Sequence, residues 1–182
     1  MGKFPILILL LVIAAIAAAL FGALHNQLSF SVGPTYFTEL KFAQFDVSPS
    51  TPDRFNAAIV GMAASWWMGP LVGAPAFLYG LVAVPKARTY FAAGLGAIFI
   101  VILLATFGAL AGLVAGLAAD TTGLVDAYLT FPDGPTRSDF LQAGFMHDAS
   151  YIAGALGALA AFSPMRRAKA IDLHLAQRTA TA

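Results

Sequence analysis

Long apolar runs alternate with shorter polar stretches along this chain. Four runs are long enough to cross a bilayer as helices, which takes about 20 residues each. They cover residues 4–24, 57–84, 91–119 and 141–163. Backbone inside hydrocarbon must satisfy its own hydrogen bonds, so these runs are predicted to be α-helices. We therefore expect an all-α membrane protein, in which a bundle of four transmembrane helices forms a single domain over residues 1–182.

The first run, Phe4–Leu24, follows Lys3 and shares features with a cleaved signal peptide. Signal peptides have an apolar core of about 7–15 residues, and this run is longer. The stretch Phe21–Ala23 is also a poor match to a small-x-small cleavage site. We therefore expect the run to be retained as an anchor.

The charges in the short loops predict an orientation, because cytoplasmic loops are enriched in Lys and Arg. Seven cations lie on one side of the expected bundle and three on the other: Lys3, Lys86, Arg88, Arg166, Arg167, Lys169 and Arg178 against Lys41, Arg54 and Arg137. This asymmetry predicts that both termini and the tail 164–182 are cytoplasmic. Two loops, 25–56 and 120–140, then lie outside. In a bacterium, the protein would reside in the inner membrane.

Several local signals refine the helix boundaries. Thr51-Pro52-Asp53 predicts an N-cap at Thr51 followed by a first-turn proline and an acid. Thr136-x-x-Asp139 resembles a capping box, and Ser163-Pro164 is typical of a new helix start. Pro70 and Pro75 lie inside the second apolar run, where each is expected to kink the helix.

The first outer loop is too long to be a simple connector. Leu28, Phe30 and Val32 alternate with small or polar residues, as they would in a strand, and Gly33-Pro34 follows as a turn. The next stretch, Tyr36–Phe45, mixes aromatic and charged residues. A small hairpin and a surface-lying helix both fit this pattern. In either form, we expect the loop to make an ordered cap over the bundle.

Composition narrows the function classes further. The 182 residues are 59% hydrophobic and 10% charged, which leaves too few polar groups to coat a water-soluble globule. A net charge of +1, with dispersed cations, argues against nucleic acid as a partner. Because the chain has no cysteine, it cannot form disulfides, thiolate zinc sites, iron–sulfur clusters or covalently attached haem.

Small residues repeat every four positions on three of the expected helices. The ladders are Ala14-Ala18-Gly22, Gly108-Gly112-Gly116 and Ala153-Gly157-Ala161. In lipid, small residues let helix backbones approach closely. We expect these faces to pack within the chain, with a homo-oligomer or a larger membrane complex as the alternative.

Polar residues collect in the outer halves of the expected helices. Nine of them form the candidate ligand-binding site: His25, Asn26, Gln27, Ser65, Trp66, Trp67, His147, Asp148 and Tyr151. Ionisable residues at membrane depth are costly and usually face the bundle interior. Tyr151 follows His147 by four residues and Asp148 by three, so one helix face can gather all three.

Three interpretations of this cluster stay open. His25 and His147 on different helices can ligate a single metal ion or the iron of one b-type haem, with Asp148 or Asn26 orienting a ring. Alternatively, Trp66, Trp67 and Tyr151 form aromatic walls for an organic ligand such as a quinone or a lipid. In the third interpretation, the polar groups only bond to one another in a structural or accessory subunit. No catalytic residue is identified, so the sequence does not decide whether the protein is an enzyme.

Several short motifs also resemble those of a family of small four-span bacterial integral membrane proteins that has no assigned activity. The motifs are His25–Ser29, Pro34–Phe37, Lys41-Phe42, Gln44-Phe45, Ala64–Gly69 and Met146–Asp148. The resemblance implies a four-span topology in a bacterial membrane. It implies no catalytic residues.

Overall fold

A computed structural model describes residues 2–180, and most of them are helical. The elements follow one another as α1 (Lys3–Val32), α2 (Pro34–Tyr36), a π-helical turn (Phe37–Lys41), α3 (Phe42–Gln44), α4 (Asp53–Ser65), α5 (Met68–Ala83), α6 (Ala87–Thr122), α7 (Arg137–Ala160) and α8 (Phe162–Ala180). No strand occurs between residues 2 and 180. The all-α prediction is confirmed.

Three helical stretches are long and apolar enough to cross a membrane. They are Lys3–Val32, Asp53–Ala83 (α4 and α5 together) and Ala87–Thr122. The fourth expected span, residues 141–163, falls mainly in α7, which is not among the three. Polar residues such as His147 and Asp148 lower the hydropathy of that helix. The structure thus supports a helical membrane protein with three candidate spans. It does not by itself confirm the predicted bundle of four.

The first helix is longer than the apolar run that predicts it. α1 continues through His25 to Val32, so the alternation at the start of the first loop does not form a hairpin. Its added turns pack on α4, where the Gln27 side-chain amide donates to the Arg54 carbonyl at 2.7 Å. Tertiary packing has therefore overridden a local strand pattern. The rest of the loop forms the cap, which consists of α2, the π-helical turn and α3. Of the two predicted alternatives, the surface-lying helix is therefore closer to the structure than the hairpin.

The helix starts agree with the sequence signals only in part. α4 begins at Asp53 with Pro52 as its N-cap and without a side-chain cap, so the Thr51 prediction is wrong by one residue. At α7, Thr136 is the N-cap, and its hydroxyl accepts from the Asp139 backbone N–H at 3.2 Å, as predicted.

The Asp139 carboxylate does not complete the capping box. It accepts instead from the backbone N–H and the hydroxyl of Thr35, at 2.8 and 2.7 Å. This exchange of partners ties the start of α2 to the start of α7, and so anchors the cap to the bundle.

The prolines and Ser163-Pro164 mark the helix breaks to within a few residues. α4 ends at Ser65 and α5 begins at Met68, so the break precedes Pro70, which lies in the first turn of α5. Pro75 remains inside α5. α8 restarts at Phe162, just before the predicted Ser163-Pro164 start.

The helices pack in antiparallel pairs through small residues. A Cβ added to Gly22 of α1 would overlap the Gly61 carbonyl of α4, and one added to Gly69 of α5 would overlap the carbonyl of Ala14. On the α6–α7 pair, Gly112 is similarly close to the Phe145 carbonyl. The small-residue faces therefore serve packing within the chain, where close backbone approach replaces the missing hydrophobic drive.

Buried side chains form two separate groups. The larger group, here called the apolar core, includes the fully buried Leu10, Phe77, Val84, Tyr90 and Met165. The smaller group, here called the cap cluster, contains Tyr36, Phe37, Ala57 and Ala143. The candidate site lies beside the cap cluster.

Candidate functional site

The long α1 and α7 helices bring His25 and His147 together. Their ring centroids are 4.6 Å apart, and the ring planes meet at 78°, so the contact is edge to face. Both residues are buried, with 8% of His25 and 6% of His147 exposed. Residues separated by more than 120 positions in sequence thus share one site, as the distribution of polar residues suggested.

His147 is held at both ring nitrogens. Nδ1 lies 2.7 Å from the carbonyl oxygen of Ala143, one turn earlier in α7. Because a carbonyl oxygen can only accept, Nδ1 carries a proton. Nε2 lies 3.1 Å from Asn26 Oδ1, while Asn26 Nδ2 donates to the Ala57 carbonyl at 3.0 Å. This chain of polar contacts connects α7, α1 and α4.

His25 differs from its neighbour in having an unused polar atom. Its ring stacks on Phe21, with centroids 5.7 Å apart and an interplanar angle of 20°. Its Nε2 is buried and has no hydrogen-bond partner, the single such side-chain atom found in residues 2–180. An unpaired buried polar atom costs about 1–3 kcal/mol, so a chain that retains one calls for an explanation.

The cap closes over the histidine pair. The rings of Tyr36 and Phe37 lie 5.3 and 5.9 Å from the His147 ring, measured between centroids. Lys41 Nζ lies 5.4 Å from the Tyr36 ring centroid and donates to Gln44 Oε1 at 3.0 Å. These contacts keep the cap seated above the site.

Tyr36 and Lys41 of the cap respond to burial in opposite directions. Burial raises the pKa of the Tyr36 hydroxyl, and the nearby Tyr151 and Asp148 raise it further. Burial lowers the pKa of the Lys41 ammonium, while the Asp148 carboxylate acts against this change. The Lys41 ammonium and the Asp148 carboxylate are therefore close enough, at the edge of the site, to interact electrostatically.

An apolar cavity of about 90 Å³, here called the slot, lies between α1, α5, α6 and α7. One end of its lining contains Phe21, the residue on which His25 stacks, together with Ser150 and Tyr151. Along α7 the lining extends from Ser150 to Ala161, the residue that follows the helix, about 16 Å at the rise of an α-helix. The remaining walls are Ala14, Ala17, Ala18, Ser65, Met68, Gly69, Val72, Gly73, Phe77, Ala97, Ile98, Val101, Ile102, Ala105 and Gly154.

The other predicted site residues divide between the slot and the surface. Ser65 lines the slot, and so does Tyr151, although 42% of Tyr151 is exposed. Trp66 and Trp67 are 55% and 48% exposed at the α4–α5 break and do not line the slot, so they are not the aromatic walls expected of them.

Two further residues do not take the expected positions. Gln27 bonds to Arg54 on the surface and lies outside the histidine contacts. Asp148 is exposed, so the group that orients a histidine ring is Asn26, the other candidate. The Ser150 hydroxyl donates to the backbone carbonyl of His147 at 2.7 Å, so its hydrogen bond is not to the His147 ring.

The sequence missed several residues that shape the site. Phe21 precedes His25 by four residues, and this helical spacing would have placed it under the ring. No sequence signal identifies Tyr36, Phe37 or Gly154, because their roles depend on contacts between distant segments. The site is therefore built equally from the expected polar residues and from unexpected apolar ones.

The histidine geometry does not fit a haem iron between the two rings. Axial imidazoles lie on opposite sides of the iron with nitrogens about 2 Å from it, which places the ring centres about 6 Å apart. The observed separation is 4.6 Å. In addition, residues 2–180 contain no group of three or more His, Cys, Asp or Glu side chains arranged around a metal position.

Comparison with known proteins found no relative. No protein-family model matches the chain, and no curated protein or solved structure matches it significantly. The roles of its residues must therefore be inferred from its own geometry.

Proposed function

We propose that this chain is a multi-pass inner-membrane protein that binds a lipid-like amphiphile, whose tail lies in the slot and whose polar end faces the histidine pair. The observation that supports this proposal best is the slot itself. It is almost entirely apolar and elongated along the helices, with polar side chains concentrated near one end. Ligand sites commonly combine such apolar walls with a few polar groups that fix orientation.

The topology belongs to the same proposal. α7 extends over 24 residues and packs along α6, with Gly116 close to Leu141 at one end and Gly157 close to Val101 near the other. A helix of this length is about 36 Å long, enough to cross a bilayer core. We therefore count α7 as a fourth span, with His147 and Ser150 buried against its neighbours. The cation asymmetry then supports an orientation with both termini in the cytoplasm and the cap outside.

Filling the slot tests the proposal. A Cβ on Gly154 would meet no atom within 4 Å, so the Gly154→Leu side chain has room to occupy the slot without displacing a helix. The full chain is purified in mild detergent, and the amphiphiles that remain bound are extracted and quantified by mass spectrometry. We expect a species present at about one per protein in the unaltered chain and at least tenfold depleted in Gly154→Leu.

The matched control places the same side chain on another face of the same helix. Ala155 is exposed and does not line the slot, so Ala155→Leu should retain the bound species. Equal retention in both variants, or no species enriched above general lipid, would contradict ligand binding in the slot.

A second candidate function is that of a structural or accessory subunit. The contacts from His147 through Asn26 to Ala57 favour it, because they join three helices without any ligand. That function accounts for the bonded atoms of the network. It accounts neither for the unpaired nitrogen of His25 nor for the slot.

A further inference from the structure

The contact between His147 Nε2 and Asn26 Oδ1 brings together two hydrogen-bond acceptors when the ring is neutral. Because the Nδ1 proton of His147 points to the Ala143 carbonyl, the Nε2 of a neutral ring presents a lone pair to Asn26 Oδ1, which is also an acceptor. Turning the Asn26 amide over would bring its NH₂ to His147, but it would also set Oδ1 against the Ala57 carbonyl. Each neutral arrangement therefore leaves two buried acceptors facing each other.

A second proton on His147 would satisfy both contacts, but it would place an imidazolium in an apolar setting. Neither ion pair found in residues 2–180 involves His147; both belong to Arg137. A buried charge without a counter-charge is expensive. A metal ion ligated by both acceptor atoms takes up both lone pairs, and its coordinate bonds offset the cost of burying its charge.

The distances around the pair suit such a cation. Two ligand atoms that are each about 2 Å from one metal ion lie about 3 Å apart, and His147 Nε2 and Asn26 Oδ1 are 3.1 Å apart. Two imidazoles on one tetrahedral ion have ring centres about 5 Å apart, by the same bond lengths. The observed centroid distance between His25 and His147 is 4.6 Å.

The surroundings also match the usual support of a metal ligand. A ligating histidine commonly donates its other ring N–H to a backbone carbonyl, as His147 does to Ala143. His25 contributes a buried nitrogen with no partner, so no existing hydrogen bond must break before it can ligate.

We propose that His25, Asn26 and His147 form a binding site for one divalent transition-metal ion of the kind that imidazole ligands prefer, such as zinc, with two ring nitrogens and one amide oxygen as donors. This site goes beyond the proposed amphiphile site, because it uses different atoms and requires no occupant in the slot. The metal is near the polar end of the slot, where it is able to polarise a ligand's oxygen atom.

Cobalt(II) absorption tests this site directly. The full chain in detergent is stripped with a chelator and titrated with Co²⁺ at neutral pH, with Zn²⁺ then added as a competitor. We expect visible d–d bands that saturate at one Co²⁺ per chain and disappear when Zn²⁺ is added. His25→Phe, which keeps an aromatic ring on Phe21, should weaken Co²⁺ binding at least a hundredfold.

Two further variants separate ligation from structural roles. His174→Ala removes the third histidine, which is exposed on α8, and should leave the titration unchanged. Asn26→Asp replaces the amide oxygen with a carboxylate and should tighten Co²⁺ binding about tenfold if this atom ligates. Absence of saturable bands, or bands that persist in His25→Phe, would overturn the site. Weaker binding in Asn26→Asp than in the unaltered chain would remove Asn26 from it.

Discussion

The apolar core and the histidine site differ in whether their buried polar atoms are hydrogen-bonded. At the apolar core, the Tyr90 hydroxyl donates to the Phe77 carbonyl at 3.0 Å, and nearby Lys3 Nζ donates to the carbonyls of Leu81 and Val84 at 2.6 and 3.1 Å. At the histidine site, by contrast, His25 Nε2 is buried without a partner.

The glycines of the bundle reinforce this contrast. Near the apolar core, a Cβ on Gly94 would strike Leu10, whereas one on Gly154 beside the slot would meet nothing. Around Leu10 the apolar core is therefore tightly packed, whereas its members Ala14, Phe77, Ala97 and Ala161 border the slot. The histidine site keeps an unsatisfied atom, which is the pattern of a site where function limits stability.

The largest expected effect comes from damaging the apolar core. Tyr90→Ala removes a fully buried ring and its hydrogen bond, and it should lower the free energy of unfolding by about 3 kcal/mol. The measurement is an SDS titration in mixed micelles, followed by helical circular dichroism. Tyr128→Ala is the control, because Tyr128 is 86% exposed and should change stability by less than about 0.5 kcal/mol. Similar losses in both variants would mean that this region does not carry the stability of the fold.

A smaller effect is expected from the bonded part of the histidine site. Asn26→Ala removes the hydrogen bond that joins α1 to α4 through the Ala57 carbonyl and should cost about 1–2 kcal/mol in the same titration. Gln27→Ala serves as the control, since Gln27 makes a comparable bond to a backbone carbonyl on the exposed side of the same helix pair. If Asn26→Ala is no more destabilising than Gln27→Ala, the network does not lock the helices.

Hydropathy predicted the helices well where burial in lipid is the main requirement on the sequence. The run 91–119 lies inside the stretch Ala87–Thr122, and the run 57–84 lies inside Asp53–Ala83 except for one residue at its end. Hydropathy did not foresee that α1 continues to Val32, because those turns are held by contacts with α4 that lie far away in sequence. It also overstated the apolar character of α7.

The sequence identified polar residues of the candidate site, but it did not predict the slot beside them. The sequence placed His25 at the end of the first apolar run and His147 within the fourth, and their rings are in contact. Trp66 and Trp67 were misplaced because spacing along one helix does not fix which neighbour that helix meets after a break. The slot arises from small residues on four helices, and no single stretch of sequence carries its outline.

The smallest stability change should come from the residue that matters most to the proposed metal site. His25→Phe in chelator-treated protein removes no hydrogen bond at Nε2 and replaces an unsatisfied polar atom with carbon. The free energy of unfolding should stay the same or rise by up to about 1 kcal/mol. His147→Phe is the matched change on the facing helix, and it should lose about 1 kcal/mol because it removes the hydrogen bond from Nδ1 to the Ala143 carbonyl. A His25→Phe loss as large as that of His147→Phe would show that His25 supports the fold, and the contrast between the two regions would disappear.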